Sequence, residues 1–167
     1  MSGRFAAIAL IGSLLAFPAW SSSGGNGPGS SPTQRLSRIQ PTQNAEYVAG
    51  EEAVKRSDWR EAITRLEKVV ERDERNANAW NLLGFAHRNL GEMEKSFANY
   101  ERALALDPQH KDAHEYVGEA YLQVGNLAKA EEHLRALDKI CWMPCEQYSE
   151  LKEKIEAFKR KTASPPG

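Results

Sequence analysis

Along most of the chain, apolar and small residues recur every third or fourth position, the spacing of one face of an α-helix. Trp80, Leu83, Gly84 and His87 fall at i, i+3, i+4 and i+7, and Phe97, Tyr100, Ala103 and Leu104 resume that spacing. Between the two runs, Leu90-Gly91-Glu92 interrupts the pattern. Asp107-Pro108 closes the second run, since Pro cannot continue a helix interior and pushes the residue before it out of helical geometry. The pattern predicts a helix, a tight turn and a second helix.

That hairpin repeats. Gly50, Gly84 and Gly118 stand 34 residues apart, and so do Ala45, Ala79 and Ala113. Ser57, Gly91 and Gly125 align as turn residues, Ala62, Ser96 and Ala130 as small residues, and Leu66, Tyr100 and Leu134 as large packing residues. Repetition at this period is the signature of a solenoid. Units are expected at residues 43–76, 77–110 and 111–144. The frame continues past them, because Tyr148, Leu151 and Ile155 follow His114, Val117 and Tyr121 by 34 residues. Lys152 replaces the Gly of the packing column, so residues 145–161 read as a capping helix. Tyr148, Leu151, Ile155 and Phe158 would face inward and the lysines outward. Residues 162–167 read as a disordered tail. The fold class is therefore all-α: an α-solenoid of three helix-turn-helix units plus a C-terminal capping helix. Trp59, Trp80, Tyr100 and Tyr121 recur on packing columns and are read as core, not as an aromatic ligand cage.

The N-terminus has a different pattern. Arg4 precedes an uncharged apolar run from Phe5 to Phe17, followed by small residues at Ala19, Ser21 and Ser23. The run is short for a bilayer span, and its order of features is that of a secretory signal. We expect a signal peptide over residues 1–21, cleaved between 19 and 23, and a periplasmic or secreted protein. Residues 22–42 read as a flexible linker, since the Ser/Gly/Pro-rich stretch to Pro32 has too little apolar surface to offset its ordering entropy.

Of the 167 residues, 41% are hydrophobic and 27% charged, within the range of soluble globular proteins. Lys and Arg number 22 against 23 Asp and Glu, a net charge of -1, which removes the positive field that non-specific nucleic-acid binding needs. Candidate chemistry is sparse. Cys141 and Cys145 are the only cysteines and flank Trp-Met-Pro at the joint before the capping helix. In an oxidising compartment such a pair reads first as a disulfide, with Pro144 breaking the helix between the two. Closing so small a loop contributes about 2 kcal/mol in the chain-entropy model. A soft-metal site for copper, built from Cys141, Met143 and Cys145, is the alternative, as is a thiol redox role. His87 and His114 occupy packing columns, His110 precedes a helix and His133 lies on an outer helix, so no histidine metal site is expected. No nucleophile has a recognisable base partner and no phosphate-binding loop is present, so no catalytic set, cofactor or enzymatic activity is expected.

Trp80-x-x-Leu83-Gly84-x-x-His87, Gly91, Ser96, Tyr100, Ala103 and Pro108 resemble the tetratricopeptide repeat almost column by column. The third unit is similar through Val117-Gly118-x-x-Tyr121, Gly125, Ala130 and Leu134, with His114 where Trp is common. The resemblance implies a binding scaffold whose first helices line a concave groove. In the first unit the groove positions are Tyr47, Glu51 and Lys55; in the second, Asn78, Asn81, Phe85, Arg88 and Asn89; in the third, Asp112, Glu115, Glu119 and Gln123. The partner implied is another protein or peptide segment. The subgroup that grips C-terminal carboxylates needs Lys, Asn and Arg where Tyr47, Glu51, Leu82, Asp112 and Tyr116 stand here, which argues against that role. The crowding of Asp112, Glu115 and Glu119, continued by Glu146 and Glu153, points to a basic segment, with Phe85 as apolar contact and Asn78 and Asn81 on its backbone. Self-association is left open.

Overall fold

The computed structural model describes residues 45–163, which form seven helices and no strand. The expected signal peptide and linker lie outside the described residues. Helix α1 is described over residues 45–55. It is followed by α2 (Trp59–Arg72), α3 (Ala77–Asn89), α4 (Met93–Leu106), α5 (Lys111–Gln123), α6 (Leu127–Ile140) and α7 (Glu146–Ala163). The helices pair as hairpins, α1 with α2, α3 with α4 and α5 with α6, and each hairpin stacks on the next. This is the all-α solenoid that the 34-residue period predicts. No helix among the described residues is long and apolar enough to cross a membrane.

Each hairpin turns at an aligned position. Ser57, Gly91 and Gly125 take φ of 58°, 77° and 77°, the left-handed geometry that lets the chain reverse directly after a helix. In the first and third hairpins the next helix starts on a side-chain cap, Asp58 accepting from the Glu61 N–H and Asn126 from the Lys129 N–H, whereas Glu92 before α4 makes no such bond. Between units the chain is capped by Asn76, which accepts from the Ala79 N–H, and by His110, whose Nδ1 accepts from the Ala113 N–H.

The helices approach closely where a Cβ is missing. A Cβ on Gly84 would lie 2.6 Å from the Tyr100 ring, and one on Gly50 would lie 2.8 Å from Leu66. Both partners come from the second helix of the same hairpin. The third unit departs from this rule. Gly118 meets Leu151 of α7, at 2.7 Å from a built Cβ, and not the aligned Leu134. Leu134 is only half-buried, at the side of a cluster formed by Ala130, Leu137, Leu151 and Ile155. The terminal helix therefore seals the last unit through Leu151 and Ile155, while Tyr148 and Phe158 are half-buried. It also continues through Ala163, two residues past the expected 145–161 span. At the joint, the structure pairs the Cys141 and Cys145 sulfurs, with Cα atoms 5.9 Å apart.

Candidate functional site

The first helices of successive hairpins, α3 and α5, lie beside α7 and together wall a cleft of about 490 Å³. Its floor is aromatic. Phe85 and Tyr116 meet with ring centroids 4.8 Å apart, and Trp59 abuts Phe85 edge-on at 5.7 Å. The Arg88 guanidinium lies over both floor rings, 5.1 Å from Phe85 and 5.8 Å from Tyr116. Stacking of this kind holds a buried cation through the negative ring faces.

The walls are acidic. Asp112, Glu115, Glu119, Glu146 and Glu150 line the cleft with Arg88 and Lys154, a formal excess of three negative charges. Glu119 is held from two sides. It accepts from Arg88 Nη1 at 2.5 Å and from the Lys154 ammonium, which also stands 3.8 Å from Glu115 and 3.8 Å from Glu150. Burial would raise the Glu119 pKa, but the bonds and charges of Lys154 and Arg88 outweigh it and hold the carboxyl below its ordinary value. Glu115 goes the other way. Its burial, a hydrogen bond with Glu150 and the charges of Glu119 and Glu150 push it up to about 8. Of the cleft carboxyls it is the one that burial and its acidic neighbours bias toward the protonated form, which lessens the negative excess.

This makes stability depend on pH. Glu115 binds its proton more tightly folded than unfolded, so its contribution is fully present below the ordinary value of 4.5 and is lost as pH rises toward about 8. Glu119 acts in a separate, lower window, losing its contribution as pH falls below 4.5. Replacing Glu115 by Gln, which keeps a donor and cannot ionise, is expected to raise the melting temperature at pH 8.5 and leave it unchanged at pH 5. Thermal melts of both proteins across that range check it.

Of the positions expected to form a groove, Phe85, Arg88, Asp112, Glu115 and Glu119 converge on the cleft. Tyr47 and Glu51, on α1, are not among its lining residues. Burial, then Glu51, then Asp112, raise the Tyr47 hydroxyl to about 12, which places the three within electrostatic reach. The others do not join. Lys55 is exposed and pairs with Glu52, Asn89 donates to its own helix at the Phe85 carbonyl, and Asn78 and Gln123 are exposed outside the lining. Asn81 is only 3% exposed, with its Oδ1 buried and unpartnered, so it is withdrawn from the surface where a partner backbone would lie.

Three lining residues were missed by sequence, Gln147, Glu150 and Lys154, while Tyr116 was named only as a departure from the carboxylate-gripping pattern. Gln147 donates to Asp112 at 2.8 Å and Lys154 donates to Glu119. Glu146 and Glu150 stand 34 residues after the lining residues Asp112 and Tyr116, so α7 keeps the period, with Lys154 one turn beyond Glu150. At the joint, pairing of the sulfurs leaves no thiolate for a soft metal, and Met143 is 68% exposed.

The profile of the Tetratricopeptide repeat family matches residues 47–109 and 98–142, more than half of the chain. The chain belongs to that family. Among curated proteins it is similar to Protein FlbA of Caulobacter vibrioides, with 38% identity over 82 residues, 46% of this chain and 14% of that protein. The chain spans less than a fifth of the length of the curated relatives it matches. Among solved structures it resembles the Yersinia enterocolitica type III secretion translocator chaperone SycD (TM-score 0.69, 19% identity, covering 83% of this chain and all of that one). It also resembles PcrH in complex with the chaperone binding region of PopD (TM-score 0.66, 19% identity, covering 74% and 95%). At such identities the likeness establishes the fold.

Proposed function

We propose that this protein is a non-catalytic scaffold that holds an extended segment of another polypeptide in the cleft between α3, α5 and α7. The observation that carries this reading is the cleft itself: an aromatic floor under acidic walls, open to solvent. The PcrH structure supports the mode, since a helical-repeat protein of similar fold there carries a segment of its partner. The charge excess selects a segment bearing Lys or Arg, which would contact Asp112 and Glu146 at the rim. Charge reversal tests this, and the structure indicates which residues to change. Glu119 is bound to Arg88 and Lys154, so reversing it would disturb folding. Asp112→Lys with Glu146→Lys is the better variant. It should capture less of the native partner and show a flatter salt dependence, with helicity intact. Unchanged capture and salt dependence would reject the basic-segment reading.

We further propose that the protein acts in the cell envelope, periplasmic or secreted, with Cys141 and Cys145 as a structural disulfide. The apolar run behind Arg4 and the pairing of the two sulfurs support this. Replacing both cysteines by Ser should lower the melting temperature by several degrees, for about 2 kcal/mol, without loss of helix. Alkylation before reduction should label no thiol in the native protein, and two labelled thiols would refute the bridge.

A further inference from the structure

The chain ahead of α1, outside the described residues, is one-sided in charge. No acidic residue precedes Glu46, and between Arg4 and Glu46 the charged residues are Arg35 and Arg38 alone. They fall in Arg35-Leu-Ser-Arg-Ile39, which also holds the only large aliphatic side chains between Trp20 and Ala45, Leu36 and Ile39. The Ser/Gly/Pro-rich stretch ends at Pro32, so this basic and apolar cluster is a separate feature of the composition.

Resting on the reading of the cleft as a site for a basic segment, we propose that residues 33–44 of the chain itself dock there and compete with the partner polypeptide. The charges are complementary. Five carboxyl groups line the cleft against Arg88 and Lys154, whereas residues 33–44 hold two arginines and no acid. At the rim, Asp112 is met by the neutral Gln147 amide at 2.8 Å, so an arginine arriving there finds a charged acceptor. The floor suits the rest of the cluster. Phe85 and Tyr116 are each only partly covered, and Leu36 and Ile39 are the apolar side chains that would cover them.

The segment is attached where it can reach. Helix α1 is described from Ala45, and Tyr47 in its first turn lies within electrostatic reach of Asp112 on the rim. Helices packed side by side stand about 8–10 Å apart, which puts α5 roughly 20 Å from α1 across α3. Arg38 precedes Ala45 by seven residues and Arg35 by ten, lengths that span at most about 25 Å and about 36 Å. Both arginines therefore reach the cleft on their own tether. A tether of this length gives an effective concentration on the order of 1 mM, so even a weak fit competes with a partner. The same segment from a second copy lacks the tether and is outcompeted by about a thousandfold when the protein is micromolar.

The test uses the full-length protein, with a fluorescent synthetic peptide of residues 33–44 as the probe. Arg35→Gln with Arg38→Gln changes nothing within the described helices, so the double variant should fold, as circular dichroism verifies. The peptide should bind this variant, whose cleft is vacated, at least about fivefold more tightly than it binds the parent, and high salt should shrink the gap. Adding Asp112→Lys and Glu146→Lys should abolish the binding. In the purified parent, a photoreactive phenylalanine analogue at Phe85 should crosslink to residues 33–44. A mixture of isotope-labelled and unlabelled protein should then give same-label pairs alone. Equal binding of the peptide to parent and double variant would overturn self-docking while leaving the cleft a site for basic segments. Binding that survives the charge reversal, no binding to either protein, or mixed-label crosslinks would overturn it as well, and capture of the native partner tests the scaffold separately.

Discussion

Replacing Tyr100 by Ala is expected to destabilise the protein by about 3–5 kcal/mol, the range for truncating a large aromatic in a packed core. Tyr100 is fully buried and its ring lies against Gly84, so little can move in to fill the space. Gly84→Ala attacks the same contact from the other side. Its new Cβ would sit 2.6 Å from a clamped ring, for a loss of about 1–3 kcal/mol. Gly118→Ala should do less, because its neighbour Leu151 belongs to the terminal helix and can shift outward with it. The Tyr100 hydroxyl is buried without a hydrogen-bond partner, so Tyr100→Phe should be neutral or stabilising. Urea denaturation of the four variants checks the ranking, and Tyr100→Ala equal to Tyr100→Phe would contradict it.

The second large effect is expected at Arg88. Its side chain is 6% exposed and is bonded to Glu119, itself 13% exposed. Arg88→Met keeps the packing on Phe85 and Tyr116 but leaves Glu119 with Lys154 as its one cation. Removing one member of a buried pair costs about 3–5 kcal/mol, and the retained, half-exposed Lys154 should reduce that to about 2–3 kcal/mol. Adding Glu119→Gln removes the stranded charge. The double variant should recover most of the loss, because a buried ion pair and a well-packed apolar substitute are often close in stability. Additive losses in this double-mutant cycle would show that the two side chains do not act as a unit.

The sequence exposes the repeat because each hairpin imposes the same local demands. Ser57, Gly91 and Gly125 must all take positive φ, and Gly50, Gly84 and Gly118 must all admit a neighbouring side chain. Such demands leave a residue type at a fixed position, and a period of 34 follows. The acidic character of the cleft and its Phe85 contact were legible for the same reason, since Phe85, Arg88, Asp112, Glu115 and Glu119 lie on repeating helices.

What was not legible depends on the joint. The helix that follows it, α7, was expected to turn its lysines outward, and Lys154 instead reaches across the cleft to Glu119. Asn81 shows a different limit. Its column faces the groove, but in this protein it is covered, and burial by neighbouring helices has no signature in one sequence. The contact between His114 and His133 shows the same limit. His114 and His133 are read separately as a packing residue and an outer-helix residue, and only the folded hairpin places their nitrogens 3.0 Å apart.

The central claim is that the inner face, and not the outer one, holds the partner. Site-specific photocrosslinking in the native cell tests it directly. A photoreactive phenylalanine analogue at Phe85, on the cleft floor, is compared with the same analogue at Ala98, exposed on α4. The account predicts a discrete crosslinked polypeptide from position 85 that is absent from position 98 and is lost when Asp112 and Glu146 are both changed to Lys. Crosslinking from position 98 alone, or from position 85 undiminished by the charge reversal, would contradict it.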